Sequence, residues 1–318
     1  MKVIVTSEFG GADVLRLEDR PRPGLAAGEA LVAVEAIGVG YVDVMARQGR
    51  YVAFPKPGFV PGLEIAGRIV AVGPGVNENR MGRRVFGMPM SGGGYAEFVA
   101  LPEAQLMDLP EAMSAADAVA LGMNALVARI AIDRASIGKN ESVFIRGAGG
   151  GIGLMAVQMS AARQAMVSAT TSSDARGARL QGLGAQRTLD RSKALEPRDD
   201  AYDVVIDTVG GPELGQTIRT LKANGRYVLC GGVGGMPKED FGMDIIAIYH
   251  KSPTFFAFSL NSVEMAEIRA AMQQIIADFD AGLLVPVVDR ILPLADAARA
   301  HRALESGEVF GKVVLTVG

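Results

Sequence analysis

The chain has 318 residues, of which 49% are hydrophobic and 21% charged, and its formal net charge is −3. This composition excludes a disordered chain and, at roughly 150 residues per domain, suggests about two domains. The single cysteine excludes an intrachain disulfide framework and a cysteine-rich zinc site. No long basic run occurs, so nucleic acid is not expected as a partner.

The first residues become polar too soon for a signal peptide, and no continuous apolar run reaches the roughly 18 residues that a membrane-spanning helix needs. We therefore expect no transmembrane helix and no membrane partner. A single cysteine is typical of a reducing compartment, which favours a cytoplasmic location.

The first hundred residues contain short apolar runs separated by glycine and proline. We predict strands at 2–6, 30–39, 65–72 and 95–100. Many short strands with such turns indicate a small barrel or sandwich.

From Ser114 onward, strands and helices alternate. A long Ala-rich helix is predicted at 114–132. The alternation that follows implies βαβ units and a parallel sheet, so the fold class is α/β. The last part of the chain is predicted to contain both strands and helices without regular alternation, so it can return to the first domain. The predicted strands are 142–145, 166–169, 204–206, 227–229, 254–258 and 312–317, and the helices are 152–164, 173–182, 213–220, 263–281 and 294–305.

The strongest local motif is 142–153, SVFIRGAGGGIG, an apolar strand that runs into glycines and then into a helix. Glycines here permit a tight turn, close approach of a pyrophosphate to backbone N–H groups, and close helix–sheet packing. The N-terminus of the helix would face the anion. Glycine-rich turns also occur without ligands, but the flanking strand and helix favour nucleotide binding. The predicted cofactor contacts are Gly147, Ala148, Gly149, Gly150, Gly151, Ile152 and Gly153.

The next strand ends in hydroxyl groups, where an NAD site usually has an acid for the ribose. Thr171, Ser172 and Ser173 stand there, with Arg176 one helical turn further on. Hydroxyls and a guanidinium suit the 2′-phosphate of NADPH. Alternatively, Ser172 or Ser173 only caps the helix, although both roles can coexist. Arg191 is either a second phosphate contact or a solvated loop residue.

Two later strands end in glycine turns, at 207–211 and 230–232. Ligands of open parallel sheets bind at the carboxyl ends of strands, so Thr208, Gly231 and Gly232 are predicted to line the cofactor. Such turns also need glycine for geometric reasons alone.

Seven motifs follow one another along the chain: GVGYVD (38–43), VPGLEIAG (60–67), GGYAEF (93–98), the glycine loop, LGA (183–185), DVVIDTVGG (203–211) and GKVVL (311–315). Together they resemble the zinc-free quinone oxidoreductase, or zeta-crystallin-like, branch of the medium-chain dehydrogenase/reductase superfamily. The resemblance implies a GroES-like β-barrel domain from both chain ends, 1–113 and 256–318, and a Rossmann doubly wound parallel sheet at 114–255 that binds NADPH. It also implies a homodimer formed through strands near 226–230 and 253–258.

Zinc-dependent relatives have a Cys where Gly40 stands and a His where Leu63 stands. The two histidines of this chain, His250 and His301, lie far from both positions in the sequence. We therefore expect no metal site. His301 is expected on a helix surface, and Lys312 is expected to be mainly structural.

The resemblance also implies contacts with the cofactor outside the glycine loop. In zinc-free relatives an Asn at the position of Gly40 approaches the nicotinamide, and that amide is missing here. Asn124 stands where the family often has Thr, and its amide can donate to the cofactor. Phe256 and Phe258 lie in a segment that passes near the nicotinamide in the family, but they suit the core equally well.

The span from Gly40 to Tyr51 resembles an Asn-x-x-Asp-x-x-x-x-x-Gly-x-Tyr motif of zinc-free enoyl reductases. The resemblance implies that Tyr51 is the side chain nearest the substrate and supplies a proton or a hydrogen bond. Asp43 is expected to orient the loop through backbone hydrogen bonds. A phenol is protonated at neutral pH and can donate. Alternatively, Tyr51 only packs beside Phe54 and Phe59.

The expected function is an NADPH-dependent, zinc-independent oxidoreductase that reduces quinones or other α,β-unsaturated carbonyl compounds. The alternative is a non-catalytic NADPH-binding or structural protein of the zeta-crystallin-like type. A methyltransferase would need an acid after the second strand, and a short-chain dehydrogenase needs a Tyr-x-x-x-Lys pair that the chain lacks. The expected partners are a small-molecule substrate and a second copy of the chain.

Overall fold

The computed structural model describes residues 1–51, 53–54, 56–193 and 201–317. The chain forms two compact units. Unit 1 comprises Met1–Met123 and Pro286–Gly318, and unit 2 comprises Asn124–Val285.

The strands and helices follow one another in this order: β1 (Lys2–Thr6), β2 (Leu15–Asp19), β3 (Glu29–Val39), α1 (Tyr41–Arg47), β4 (Ile65–Val72), β5 (Arg84–Gly87), β6 (Phe98–Pro102), β7 (Leu106–Asp108), α2 (Ala115–Arg134), β8 (Ser142–Arg146), α3 (Gly151–Ala162), β9 (Met166–Thr171), α4 (Asp174–Gly182), β10 (Arg187–Asp190), β11 (Tyr202–Asp207), α5 (Leu214–Arg219), β12 (Leu221–Leu229), α6 (Phe241–Ala247), β13 (Thr254–Ala257), α7 (Met265–Asp280), β14 (Val288–Pro293), α8 (Ala297–Glu305) and β15 (Lys312–Thr316).

Unit 1 is built around a sheet that draws strands from both chain ends. The order is β14-β15-β3-β4-β5-β7, with β6 also paired to β3. The long strand β3 is the centre, because it pairs with β4, β6 and β15. Apolar side chains from these strands and from α8 form one buried cluster. The expected β-rich domain from both chain ends is therefore present.

Unit 2 contains a six-stranded parallel sheet in the order β10-β9-β8-β11-β12-β13. The chain moves outward from β8 to β10 and then returns to the other side of β8 with β11. Such a reversal places a crevice at the carboxyl ends of β8 and β11, which is where open α/β sheets bind ligands. The expected doubly wound parallel sheet is confirmed.

The units divide at 123/124 and 285/286, whereas the sequence indicated boundaries at 113/114 and 255/256. The second boundary differs because β13 pairs in parallel with β12 as the edge of the sheet of unit 2. Helix α7 follows β13 and also belongs to unit 2.

Helix α2 is long and apolar enough, by length and composition, to cross a membrane, and 61% of its most apolar window is buried. The sequence had indicated no such segment, because charged residues interrupt the apolar run. Gly122 has non-helical dihedral angles and divides α2 into two pieces. Core helices of folded domains satisfy the same criteria, so the finding is weak evidence for a membrane span.

Candidate functional site

The glycine loop of unit 2 connects β8 to α3. Gly147 has a left-handed φ of 71°, and a Cβ there would collide with the side chain of Thr208 at the end of β11. The N–H of Gly147 donates to Thr170 Oγ1 at the end of β9, at 3.0 Å. The turn is therefore fixed against both neighbouring strands, and two of the predicted cofactor residues, Gly147 and Thr208, lie side by side.

The N-terminus of α3 is open to a ligand in two respects. Its N-cap residue is Gly150, which has no side chain to cap the first turn. A Cβ on Gly153 would lie 2.6 Å from Ala148 Cα, so only glycine lets the helix pack this close to the turn. Uncapped N–H groups at a helix N-terminus are suited to a phosphate. The loop therefore fits the pyrophosphate of a dinucleotide.

Asn124 lies at the same helix end. A Cβ on Gly151 would lie 2.5 Å from Asn124 Cγ and 2.7 Å from its Oδ1. The amide therefore occupies the space beside the first residue of α3. The structure brings Asn124 to the predicted phosphate-binding turn, whereas its contact with a cofactor stays a prediction.

The hydroxyl-rich end of β9 forms a local network. Ser173 is the N-cap of α4 and accepts a hydrogen bond from the N–H of Arg176 at 3.3 Å. The Arg176 guanidinium donates to Ser172 Oγ, also at 3.3 Å. The buried Thr171 hydroxyl donates to the Ser173 carbonyl at 2.8 Å. The expected helix cap is confirmed, and its hydroxyls and the guanidinium remain together at the strand end.

A cavity of about 560 Å³ lies at the carboxyl ends of β8, β9, β10 and β11. Gly147 and Arg191 line it, as does the Thr170 side chain that accepts from Gly147. Arg176 is not among the lining residues. The remaining cations of the wall, which the sequence reasoning missed, are Arg146, Lys193 and Lys238.

The charges in this wall are only partly compensated. Arg146 is paired with the buried Asp207 at 2.8 Å and with Glu213 at 3.3 Å. Within the described residues, Arg191 and Lys238 form no ion pair. The cavity therefore keeps positive charge toward a ligand, which suits a phosphate.

Asp207 organises the turn that follows β11. Its carboxylate accepts from the N–H groups of Val209 at 2.8 Å and Gly210 at 3.0 Å. It also accepts from Arg146 and from the hydroxyl of Tyr227. Burial and the nearby Asp207 carboxylate raise the pKa of Tyr227 well above its usual value. The phenol therefore stays a donor that holds this turn in place.

The other predicted residues of unit 2 have different surroundings. A Cβ on Gly231 would press on the backbone of Thr208, so the ends of β11 and β12 meet there, while the space at Gly232 is open. Phe258 is 7% exposed and lies under the Arg134 guanidinium, 4.9 Å from the ring centroid. Phe258 thus has a core role, as the alternative interpretation held, and Phe256 is half-buried in the edge strand β13.

Tyr51 of unit 1 packs in a small aromatic cluster. Its ring centroid is 6.1 Å from that of Phe54, which stacks on Phe59 at 4.6 Å. Ala46 and Leu63 belong to the same cluster. The packing expected in the alternative interpretation is present, and it places Tyr51 against the cluster that contains Leu63, one of the two positions that hold zinc ligands in zinc-dependent relatives.

Asp43 joins the two loop segments that contain Gly40 and Leu63. Its Oδ2 accepts from the N–H of Gly40 at 2.9 Å, and its Oδ1 accepts from the N–H of Gly62 at 3.0 Å. The expected orienting role through backbone bonds is confirmed. Burial, opposed by these two bonds, raises the pKa of Asp43 to about 6.

His301 is fully buried, at 0% exposure, so its expected place on a helix surface is wrong. It lies on the inner face of α8, where Nε2 is 3.0 Å from the hydroxyl of Tyr95. Burial, and then the charge of Arg47, lower the pKa of His301 to about 3. The imidazole is therefore neutral at physiological pH.

Lys312 forms a buried ion pair with Glu64, and each side chain is 4% exposed. The second oxygen of Glu64 accepts from the N–H of Met123 at 3.0 Å. The expected structural role of Lys312 agrees with this pairing. Within the ranges that the structure describes, no group of three or more His, Cys, Asp or Glu side chains is placed to hold a metal ion.

Two family models match the chain. Residues 26–111 match the alcohol dehydrogenase GroES-like domain, and residues 183–315 match a domain described as zinc-binding dehydrogenase. A quinone oxidoreductase of Lama guanicoe is 31% identical, over 99% of this chain and 97% of that protein. The synaptic vesicle membrane protein VAT-1 homolog of Rattus norvegicus is 28% identical, over 100% of this chain and 84% of that protein.

Solved structures give the same picture. A mycobacterial protein solved in complex with NADPH has a TM-score of 0.90 and 27% identity, covering 99% of this chain and all of that chain. A quinone oxidoreductase of Pseudomonas syringae has the same TM-score and identity, with 99% of each chain covered.

Proposed function

Because the chain belongs to the quinone oxidoreductase, or zeta-crystallin-like, branch of the medium-chain dehydrogenase/reductase superfamily, we propose that it reduces quinones or other α,β-unsaturated carbonyl compounds with NADPH. The observation that carries the proposal is the glycine loop at the switch point of the parallel sheet, next to a cavity with uncompensated cations. NADPH, when bound, supplies a hydride to the acceptor.

The loop residues and Asn124 would hold the pyrophosphate. Gly147 and Gly153 allow the close approach, and the first turn of α3 offers N–H groups that its N-cap residue, Gly150, has no side chain to bind. The dipole of this helix favours the negative charge. These contacts involve no titratable side chain, so the pyrophosphate part of the binding should depend little on pH near neutrality.

The 2′-phosphate would lie between the β9 hydroxyls and the cavity cations. Arg191 is the better placed guanidinium, because it lines the cavity, while Arg176 is held by Ser172. Two unpaired cations at the rim favour a dianionic phosphate over a ribose hydroxyl. We therefore propose NADPH rather than NADH as the cofactor.

In unit 1 we propose that Tyr51 donates a proton or hydrogen bond to the acceptor oxygen. Reduction leaves negative charge there, and neither Gly40 nor Leu63 can ligate a metal to hold it. Packing against Phe54 restricts the Tyr51 ring, which lowers the entropy lost on aligning the hydroxyl.

The test is NADPH oxidation by the purified chain with a panel of quinones and enones, followed by the loss of NADPH absorbance. We expect turnover with at least one quinone or enone, and slower turnover with NADH. Tight NADPH binding without turnover of any acceptor would support a non-catalytic NADPH-binding protein instead.

We also propose a homodimer formed through the edge of the sheet of unit 2. Strand β12 is paired on both sides, so among the described strands β13 forms the free edge at this end of the sheet. Phe255 on that edge is 40% exposed. An unpaired apolar edge favours a partner strand. Light scattering should give twice the chain mass, and Phe255→Lys should reduce it to that of one chain.

A further inference from the structure

We infer that Tyr95 and His301 are positioning residues for the proposed reaction: they hold the Asp43 carboxylate ionised, and Asp43 in turn holds the two loop segments that carry Gly40 and Leu63. The inference rests on the proposed function for its kinetic test. All of these groups belong to unit 1, and the contacts between them fix the direction of the hydrogen bonds.

Asp43 is a buried acid with five polar or charged groups around it, of which only Glu64 disfavours its ionised form. It is 3% exposed. The charge of Lys312 favours its ionised form and the charge of Glu64 opposes it. Two backbone N–H groups already bind it, one on each oxygen. The Tyr95 hydroxyl is the third donor in reach, 3.4 Å from Oδ2.

The single hydroxyl proton of Tyr95 can go to Asp43 or to His301. If it goes to His301 Nε2, the neutral ring carries its proton on Nδ1, which is buried and has no hydrogen-bond partner among the residues that the structure describes. A buried N–H without an acceptor is costly, more so than a buried lone pair. The other tautomer leaves only a lone pair on Nδ1.

The ring is neutral, so it carries one proton only. Arg47 contributes to this, because its side chain is fully buried and its charge lowers the pKa of His301, while the guanidinium itself is paired with Glu305 at 2.5 Å. Nε2–H therefore donates to Tyr95 Oη at 3.0 Å, and the Tyr95 hydroxyl donates on to Asp43.

The direction of the Tyr95 hydrogen bond matters for the protonation of Asp43. A carboxylate can accept from all three donors, which are the Tyr95 hydroxyl and the two backbone N–H groups, whereas a protonated carboxyl cannot. When Asp43 takes a proton, one oxygen becomes a donor and loses an acceptor site for Gly40 or Gly62. The two loop segments then separate, and Leu63 no longer fixes the aromatic cluster of Tyr51. We expect activity to fall as the pH drops through the pKa of Asp43, which burial raises to about 6.

The kinetic experiment measures kcat/KM against pH for the wild type, Tyr95→Phe, His301→Leu and His301→Gln. Tyr95→Phe and His301→Leu each break the series of hydrogen bonds from His301 through Tyr95 to Asp43. In both variants the pH below which kcat/KM falls should therefore rise by about one unit. Gln can still donate to Tyr95, so His301→Gln should keep the wild-type limb. A purely structural role would lower the melting temperature of the variants and leave the limb in place, which would overturn the inference.

A second measurement does not depend on catalysis. The chain has two histidines, so ¹⁵N-histidine NMR gives two ring systems, and His250→Gln assigns them. We expect His301 as the neutral Nε2–H tautomer from pH 8 to pH 5, with mixed tautomers in Tyr95→Phe. The Nδ1–H tautomer in the wild type would overturn the inference. If no acceptor is turned over, the proposed function fails, and this measurement still decides the inference.

Discussion

The side-chain amide of Asn124 occupies the space that a Cβ at position 151 would need, 2.5 Å from that Cβ to its Cγ. Only glycine at 151 lets this amide lie at the first turn of α3. The glycine loop thus serves two purposes: it opens a path to the helix N-terminus, and it makes room for a polar side chain there.

Gly151→Ala should displace Asn124 and weaken NADPH binding by about tenfold, which corresponds to one hydrogen bond of about 1.4 kcal/mol. Alanine favours the helical conformation by about 1 kcal/mol over glycine. This gain should offset the cost of displacing Asn124, so the free energy of unfolding should change little. Titration by NADPH fluorescence measures the affinity. The matched control is Gly182→Ala at the end of α4, where an added Cβ would meet nothing within 4 Å. In an Asn124→Ala background, Gly151→Ala should have no further effect; an unchanged loss there would show that the amide is not involved.

Arg191→Ala should raise the KM for NADPH by roughly ten- to hundredfold and leave the KM for NADH nearly unchanged. The reason is the loss of a charge-assisted contact with the 2′-phosphate, of about 1.5–3 kcal/mol. Arg176→Ala should have the same sign and a smaller size, because Ser172 already binds this guanidinium. Arg179→Ala, on the same helix α4, controls for the loss of charge alone. An equal rise in KM for NADPH and NADH would show that these guanidinium groups do not bind the 2′-phosphate.

Tyr51→Phe should lower kcat by roughly 10²–10⁴ if the phenol protonates the reduced acceptor. NADPH affinity should stay at the wild-type value, because Tyr51 belongs to unit 1 and packs on Phe54. A rise in KM at constant kcat would indicate a hydrogen bond in the ground state only. Wild-type values of both kcat and KM would show that Tyr51 takes no part in the reaction and that the reduced acceptor receives its proton from water.

Activity should survive exhaustive chelation, and the purified protein should contain no stoichiometric zinc. The expectation rests on Gly40 and Leu63, which cannot ligate a metal, and on the single cysteine. Elemental analysis of the dialysed protein is the measurement. A content near one zinc per chain would contradict it.

The free energy of unfolding should depend on pH through His301. The unfolded chain binds a proton at this residue near pH 6.5, while burial lowers the folded pKa to about 3. Stability is therefore lost as the pH falls below 6.5, by about 2 kcal/mol at pH 5. Urea unfolding of His301→Gln at pH 7.5 and pH 5 should show the variant gaining that amount relative to the wild type. His250→Gln is the control, and a pH-independent difference for His301→Gln would refute the expectation.

The sequence predicted most strands and helices of unit 2, but it did not predict β10 or α6, nor β2, α1, β5, β7 and β14 of unit 1. The parallel strands β8, β9 and β11 could be predicted because each contains a short, mostly apolar run. The glycine loop could likewise be recognised, because its function depends on backbone conformation, which glycine reveals directly.

Pairs distant in the sequence could not be predicted in the same way. His301 looked like a polar residue of a surface helix, and its partner Tyr95 is 206 residues away. Arg146 was missed, although a charge at the end of an apolar strand is a usable sign. Its partner Asp207 is 61 residues away, and only the parallel pairing of β8 and β11 brings the two together.

The position of β15 between β14 and β3 has a consequence for how the protein forms during translation. Unit 2 is one continuous segment and can fold as soon as it has emerged from the ribosome. Unit 1 begins first, but residues 36–39 of β3 lack their β15 partners until residues 313–316 arrive. That end of β3 is therefore exposed to solvent and chaperones during the synthesis of more than half of the chain, whereas the cluster around Tyr51, whose members all precede residue 124, can form earlier.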